Sequence, residues 1–179
     1  MMHGVAGSRP SLVDSNYAWL RLGVALLLST LGSAGMWTYV VALPVVQSDF
    51  GVVRADATLP FTMAMVGFGA GNALIGRLTD RTGIFVPILI GIGLIGVGYV
   101  GSGMAPSLWT LSGFHALIGL GAATFFGPMI SDISHWFEKR RGIAVAIAAT
   151  GNYVAGAVWP GVVSHFLATS GWRATHIGI

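Results

Sequence analysis

The sequence GRLTDRTG, residues 76–83, concentrates charge between two strongly apolar stretches. It places Arg77, Asp80 and Arg81 in a segment that has a glycine at each end. Basic residues beside an apolar stretch need only membrane topology as their explanation, but topology needs no Asp80. The acid and the flanking glycines therefore indicate a further role for this segment.

Residue types that perform bond chemistry are sparse in this chain. There is no cysteine, and the 6 acidic residues and 5 histidines show neither metal-ligand spacing nor a catalytic carboxylate pair. We therefore expect neither an enzyme, nor a metal site, nor a cofactor. The 9 basic residues are scattered through apolar sequence, so no nucleic-acid-binding stripe is predicted.

The composition is typical of a membrane protein. Of the 179 residues, 54% are hydrophobic and 8% are charged, with a mean hydropathy of +0.78, whereas soluble domains contain roughly 25% charged residues. Five apolar runs are long enough to cross a hydrocarbon core. The predicted spans are about residues 20–46, 58–76, 84–104, 108–134 and 142–167, with the start of a sixth at 173–179. Polar residues 1–17 are expected to form an N-terminal tail.

Basic residues predict how the spans are oriented. Arg77 and Arg81 lie in the second connection, residues 139–141 are all basic in the fourth, and Arg9 and Arg21 lie near the N-terminal end. The positive-inside rule places these segments in the cytoplasm. We expect a multi-pass protein of the cell's inner (plasma) membrane, in contact with the lipid bilayer, with a cytoplasmic N-terminus.

Glycines fall on two faces of the third span, at about 100° of rotation per residue. One face carries Gly91, Gly98 and Gly101, and another carries Gly93, Gly96 and Gly103. Small residues let neighbouring backbones approach closely within a membrane. We therefore expect this helix to pack against neighbours on two sides.

The segment GRLTDRTG resembles a loop motif of the major facilitator superfamily, Gly-x-Leu-x-Asp-Arg-x-Gly. The matching residues are Gly76, Leu78, Asp80, Arg81 and Gly83. The resemblance implies an all-α membrane protein, the N-terminal six-helix bundle of a twelve-helix fold, with the chain stopping at the start of the sixth helix. It also implies a latch: Asp80, with Arg81 and the two outer glycines, is expected to bind a helix N-terminus in the missing C-terminal half.

The charge network around this loop is expected to be smaller than in the family or connected differently, because Ile84 and Phe85 stand where two basic residues are usual. Asp132, near the cytoplasmic end of the fourth span, is a predicted partner for Arg77 or Arg81, since an acid at membrane depth is usually paired. Snorkelling of its carboxylate to the interface is the alternative. The predicted network comprises Arg77, Asp132, Arg140 and Arg141.

Residues 135–160, HWFEKRRGIAVAIAATGNYVAGAVWP, form a second signature. They are similar to the fourth loop and fifth helix of the monocarboxylate transporter and oxalate/formate antiporter branch. The matching residues are Trp136, Phe137, Lys139, Arg140, Arg141, Ala144, Ala148 and Gly151. This resemblance implies a secondary transporter of small organic anions such as monocarboxylates, acting by alternating access with proton coupling (symport) or exchange (antiport). The alternatives are a broad-specificity drug or metabolite exporter of the same superfamily and a non-transporting half-transporter fragment.

Aromatic and amide side chains inside the spans suggest where a substrate could bind. Trp37 and Tyr39 lie in the first span, and Asn152, Tyr153 and Trp159 lie in the fifth. Aromatic rings with a few hydrogen-bonding groups suit a small, partly apolar solute. Ordinary core packing explains each aromatic residue equally well, and Asn152 could instead bridge helices.

His115 is the candidate proton carrier. It stands four residues before Gly119, where the family pattern has an arginine. A neutral imidazole can gain a proton near physiological pH, so we hypothesise that His115 senses or relays protons. A histidine hydrogen-bonded within the bundle is the alternative. Arg21 is the one fixed cation inside the five complete predicted spans, so the positive group that an organic anion needs is expected in the C-terminal half.

Overall fold

The computed structural model describes residues 12–179, and this part of the chain contains helices and short connections without a strand. The helices are α1 (Asn16–Gly32), α2 (Ala34–Phe50), α3 (Arg54–Ala57), α4 (Leu59–Thr82), α5 (Phe85–Gly103), α6 (Leu108–Ala122), α7 (Gly127–His135) and α8 (Arg141–Gly178). A 3₁₀ turn, Ala123–Phe125, joins α6 to α7.

Among residues 12–179, five helical stretches are long and apolar enough to cross a membrane, and we call them spans 1 to 5 in chain order. They are Asn16–Phe50, Arg54–Thr82, Phe85–Gly103, Leu108–Ser134 and Arg141–Gly178. The last stretch turns at Gly171, whose φ of 77° and ψ of 166° are not helical. Residues 172–178, the terminal segment, therefore form a separate short helix where the start of a sixth span is predicted.

The end of the predicted N-terminal tail is part of the fold. Asp14 accepts hydrogen bonds at Oδ2 from the backbone N–H groups of Glu138 (3.3 Å) and Lys139 (3.1 Å). Ser15 caps α1 by accepting from the N–H of Ala18 at 3.3 Å, the contact that a helix N-terminus needs. The tail predicted for residues 1–17 therefore ends before Asp14; residues 1–11 lie outside the described residues.

Spans 1 and 4 are both interrupted, and the two interruptions meet. Ser33 separates α1 from α2, and Phe126, with φ −118° and ψ −89°, separates the 3₁₀ turn from α7. The Ser29 hydroxyl donates to the backbone carbonyl of Phe125 at 2.7 Å. A Cβ on Gly32 would overlap the Phe125 ring. Backbone irregularity inside a membrane is tolerated where the protein satisfies the freed groups, as Ser29 does here.

Span 4 packs backbone to backbone against span 2. A Cβ on Gly119 would overlap the carbonyl of Ala64, and a Cβ on Gly67 would overlap the carbonyl of Ala116. Each helix thus presents a glycine to the backbone of the other. Such close approach gains van der Waals contact, which is a main source of helix association in lipid.

The third span, α5, packs more fully on one glycine face than on the other. Hypothetical Cβ atoms on Gly91 and Gly98 would come within 3.0 Å of span 4 backbone oxygens. On the second face Gly103 meets the terminal segment, but Cβ atoms on Gly93 and Gly96 would meet nothing within 4 Å. The prediction of packing on the first face is confirmed, while the second face makes contact at Gly103 only.

Candidate functional site

The predicted latch lies at the exposed end of α4. Gly83 ends the helix with φ 75°, a backbone conformation that favours glycine, and its N–H donates to the carbonyl of Thr79 at 2.8 Å. Asp80 and Arg81 are exposed. Within residues 12–179 neither side chain has a hydrogen-bond or ion-pair partner. The Asp80 carboxylate is thus free to bind a group from outside this part of the chain.

Asp80 borders a groove of about 140 Å³ between α4 and α7. The residues that line it are Asn72, Gly76, Thr79, Asp80, Gly127, Pro128 and Ser131. A Cβ on Gly76 would meet nothing within 4 Å, so the glycine leaves one wall of the groove open. The N-terminal end of α7 faces the same groove through Gly127 and Pro128. The arrangement offers a docking position beside the carboxylate.

Asp132 pairs with Arg21, so the prediction that its partner is Arg77 or Arg81 is wrong. Arg21 Nη2 lies 2.7 Å from Asp132 Oδ2, and the guanidinium also lies 4.4 Å from the ring centroid of Trp136. Ser131 lines the groove beside α4, and the next helical residue points about 100° away from it. Asp132 therefore faces α1 instead of the loop at the end of α4.

The other members of the predicted charge network stay apart from Asp132. Arg77 donates to the carbonyl of Ala73 at 3.3 Å, one turn earlier on its own helix. Arg141 donates to the hydroxyl of Ser134 at 3.3 Å, and exposed Arg140 lines a polar cleft with Asp14 and Lys139. No continuous network forms among the described residues.

Three of the predicted substrate-path residues come together where span 5 crosses span 1. The indole N–H of Trp37 donates to the backbone carbonyl of Asn152 at 3.1 Å. The indole N–H of Trp159 donates to the carbonyl of Thr30 at 2.9 Å. A Cβ on Gly156 would lie 2.9 Å from the Trp37 ring, so this glycine permits the close contact. The same hydrogen bonds hold the two helices together.

The remaining path residues lie elsewhere. Tyr153 is 73% exposed, although it follows Asn152 in the chain, because adjacent helical residues point in different directions. Tyr39 and His115 are buried together with their ring centroids 4.6 Å apart. The Tyr39 hydroxyl donates to the carbonyl of Ala57 at 2.6 Å. The predicted path is thus divided between the contact of spans 1 and 5 and a separate cluster around His115.

This cluster contains residues that the sequence reasoning missed. His176 of the terminal segment is fully buried, and its ring centroid lies 5.8 Å from that of His115 and 5.9 Å from that of Tyr99. The Tyr99 hydroxyl donates to Thr38 Oγ1 at 3.1 Å. The sequence contained one signal for these residues. Trp172 and His176 are four residues apart, so they lie on the same face of a helix. The turn at Gly171, which brings them against α5 and α6, had no predictable direction.

A second ion pair fixes the position of the terminal segment. Arg173 Nη2 lies 3.1 Å from Asp49 Oδ2, and Arg173 Nη1 donates to the carbonyl of Ala105 at 2.7 Å. The Trp172 indole N–H donates to the same Asp49 oxygen at 3.2 Å. These contacts join the terminal segment to the end of α2 and to the connection between α5 and α6. They hold His176 in the cluster.

Comparison with known proteins identifies the family to which this helical arrangement belongs. The Major Facilitator Superfamily profile matches residues 25–179. The chain is 28% identical over 161 residues to monocarboxylate transporter 11 of Mus musculus, covering 89% of this chain and 36% of that protein. It is 26% identical over 145 residues to the oxalate:formate antiporter of Oxalobacter formigenes, covering 81% of this chain and 34% of the antiporter.

A third relative has a different anion in its name. The chain is 28% identical over 158 residues to the probable sulfoacetate transporter SauU of Cupriavidus necator, covering 87% of this chain and 36% of that protein. The chain thus spans about a third of the length of these relatives. Five membrane-length helices among residues 12–179, together with the family match, indicate a multi-pass membrane protein. The three relatives are named as transporters or as an antiporter. By its sequence match and its all-helical architecture, the chain belongs to the Major Facilitator Superfamily.

Proposed function

We propose that this chain forms the N-terminal half of a secondary transporter for small organic anions. The observation that carries the proposal is the chemistry common to the relatives' names, since monocarboxylates, oxalate, formate and sulfoacetate are all small organic anions. The transporter works by alternating access in the cell's inner membrane, with its N-terminus in the cytoplasm. Transport is driven by proton coupling or by exchange of one anion for another.

The contact of spans 1 and 5 supplies uncharged groups for substrate binding in this proposal. The rings of Trp37 and Trp159 and the side-chain amide of Asn152 are all partly exposed, so a solute can reach them. Aromatic faces and one amide suit the carbon skeleton and the polar edge of a short carboxylate. Exposed Tyr153 lies on the same helix but outside this contact.

The positive group that holds the anion comes from the C-terminal half. Among the described residues, two arginines form ion pairs with carboxylates. Arg21 pairs with Asp132, and Arg173 pairs with Asp49. Freeing either guanidinium would leave a carboxylate unpaired, which is costly in or near the bilayer. An organic anion is therefore expected to bind between the uncharged groups of this half and a cation of the other half.

The loop of residues 76–83 acts as the latch between the halves. Asp80 is exposed and without a partner in residues 12–179, and the groove beside it is open at Gly76. A helix N-terminus from the C-terminal half would satisfy the carboxylate. Arg81 would pair with an acid nearby. Breaking this contact allows the transporter to change the side to which it opens.

Uptake into proteoliposomes tests the proposal. The full-length protein is reconstituted, and labelled monocarboxylates, oxalate, formate and sulfoacetate are supplied with a pH gradient, with an unlabelled anion inside the vesicles, or with neither. We expect saturable uptake of at least one anion that increases under one of the two driving conditions. Protein-free vesicles are the control. No uptake of any anion, combined with expulsion of hydrophobic organic cations, would replace this function with that of an exporter.

A further inference from the structure

Two buried histidines from distant parts of the chain lie side by side in the protein interior. His115 of α6 and His176 of the terminal segment are 1% and 0% exposed. Their ring centroids lie 5.8 Å apart. Burial disfavours the charged form of an imidazole, so a proton on either ring needs a compensating contact with water or a counterion.

The hydrogen bonds identify the basic nitrogen of each ring. His115 Nδ1 lies 3.0 Å from the carbonyl oxygen of Leu111, and His176 Nδ1 lies 2.8 Å from that of Trp172. A carbonyl oxygen only accepts, so His176 Nδ1 carries the hydrogen. For His115 the same tautomer makes the Ser102 hydroxyl, 3.3 Å from Nδ1, a second acceptor of that N–H. A neutral imidazole has one N–H, and each Nε2 therefore carries a lone pair. Both rings present the same acceptor atom.

The Nε2 atom of His176 has no partner. It is fully buried and makes no hydrogen bond to any of the residues 12–179. A buried acceptor without a partner costs free energy, and such groups are rare in folded proteins. The free lone pair on Nε2 can therefore bind a proton. The centroid of the ring that carries it lies 5.8 Å from the centroid of a second imidazole.

The titratable neighbours of the pair are already engaged. Tyr39 of α2 faces His115, and Tyr99 of α5 faces His176. Both phenol hydroxyls donate to other oxygens of the protein, so neither supplies a hydrogen to a histidine Nε2. On the terminal segment itself, Arg173 is paired with Asp49. No carboxylate among the described residues contacts either imidazole ring.

We propose that His115 and His176 form a one-proton site in which His176 Nε2 is the acceptor. Water delivers the proton: an N–H bond forms at Nε2 while an O–H bond of hydronium breaks and leaves water, and release reverses these steps. One imidazolium disfavours a second beside it, so the pair holds a single proton. Because the closed cluster offers no counterion, protonation favours an arrangement in which water reaches it. This inference rests on the proposed transport function and names its proton-binding residues.

A titration that needs no variant tests the site. The full-length protein is labelled with ¹⁵N-histidine, placed in lipid nanodiscs, and followed by NMR from about pH 8 to about pH 5, the range in which histidine changes charge. We expect the Nε2 signal of His176 to change from the unprotonated to the protonated position. Replacement of His115 by Gln, H115Q, should shift the midpoint of that change. If the His176 signal stays unprotonated throughout, or its midpoint is the same in H115Q, the proton site is refuted.

Transport by matched variants provides the second measurement. His176→Gln retains a polar side chain but should remove the increase in uptake that a pH gradient produces. His165→Gln is the control, because His165 is exposed, lies before the turn at Gly171 and should keep that increase. An equal increase in His176→Gln and in the unchanged protein would overturn the proposal. If no anion is transported while His176 still titrates, the proposed function fails and the proton site stands.

Discussion

The ion pair between Arg21 and Asp132 gives a prediction whose size follows from its geometry. The two side chains are 29% and 20% exposed and are joined at 2.7 Å. A hydrogen bond between charged groups contributes about 1.5–3 kcal/mol, and partial exposure reduces this, so we expect a coupling free energy of about 1–2 kcal/mol. Asp132→Asn keeps the shape of the side chain, and Arg21→Gln replaces the guanidinium with a shorter neutral amide, so each removes one charge. The double variant should be less destabilised than the sum of the two single variants.

The assay is a double-mutant cycle on the free energy of unfolding, measured in detergent micelles. The matched control pairs Asp132→Asn with Arg77→Gln, because Arg77 was one of the two partners that the sequence predicted and the structure places it elsewhere. That control cycle should be additive within about 0.5 kcal/mol, as for sites without contact. Additivity in the Arg21 cycle, or coupling in the Arg77 cycle, would show that the described geometry is not the one the protein adopts.

Three further outcomes are expected. Asp80→Asn should leave the protein inserted but change the ratio of inward-facing to outward-facing states, measured by spin-label distances, whereas Asp56→Asn should not; an unchanged ratio counts against the latch. Gly119→Val should lower the unfolding free energy by about 1–3 kcal/mol or more through overpacking, while Gly113→Val meets open space and should cost far less; equal losses would refute the close packing of spans 2 and 4. Trp37→Phe removes one N–H donor and should cost about 0.5–1.5 kcal/mol of unfolding free energy; no loss would mean that the bond to Asn152 contributes nothing.

The all-helical membrane architecture could be predicted from local sequence. Long apolar runs can cross a bilayer only as helices or closed barrels, because each backbone polar group needs an internal partner. Runs of about 20 residues have the length for helices. The spacing of Gly91, Gly98 and Gly101 likewise indicated a close helix contact, since helical periodicity alone places them on one face.

The choice of partners across helices was not predictable in the same way. Asp132 was assigned to the loop at the end of α4, yet it faces Arg21 on α1. A rotation of one residue, about 100° on a helix, decides which neighbour a side chain meets. The spacing of residues in the sequence gives the angle between two side chains of the same helix, but not the neighbouring helix that either side chain faces. The direction relative to other helices depends on how the whole bundle packs.

By itself, the sequence determined the helical membrane class, the positions of the apolar stretches and the motif that carries Asp80. These properties depend on residue composition and on periodicity within one segment. Only the tertiary structure decided that the predicted path is divided into two clusters and that His176 lies beside His115. Those two histidines are brought together by the turn at Gly171 and by the pairing of Arg173 with Asp49. Such contacts depend on the packing of segments far apart in the chain, which no single segment encodes.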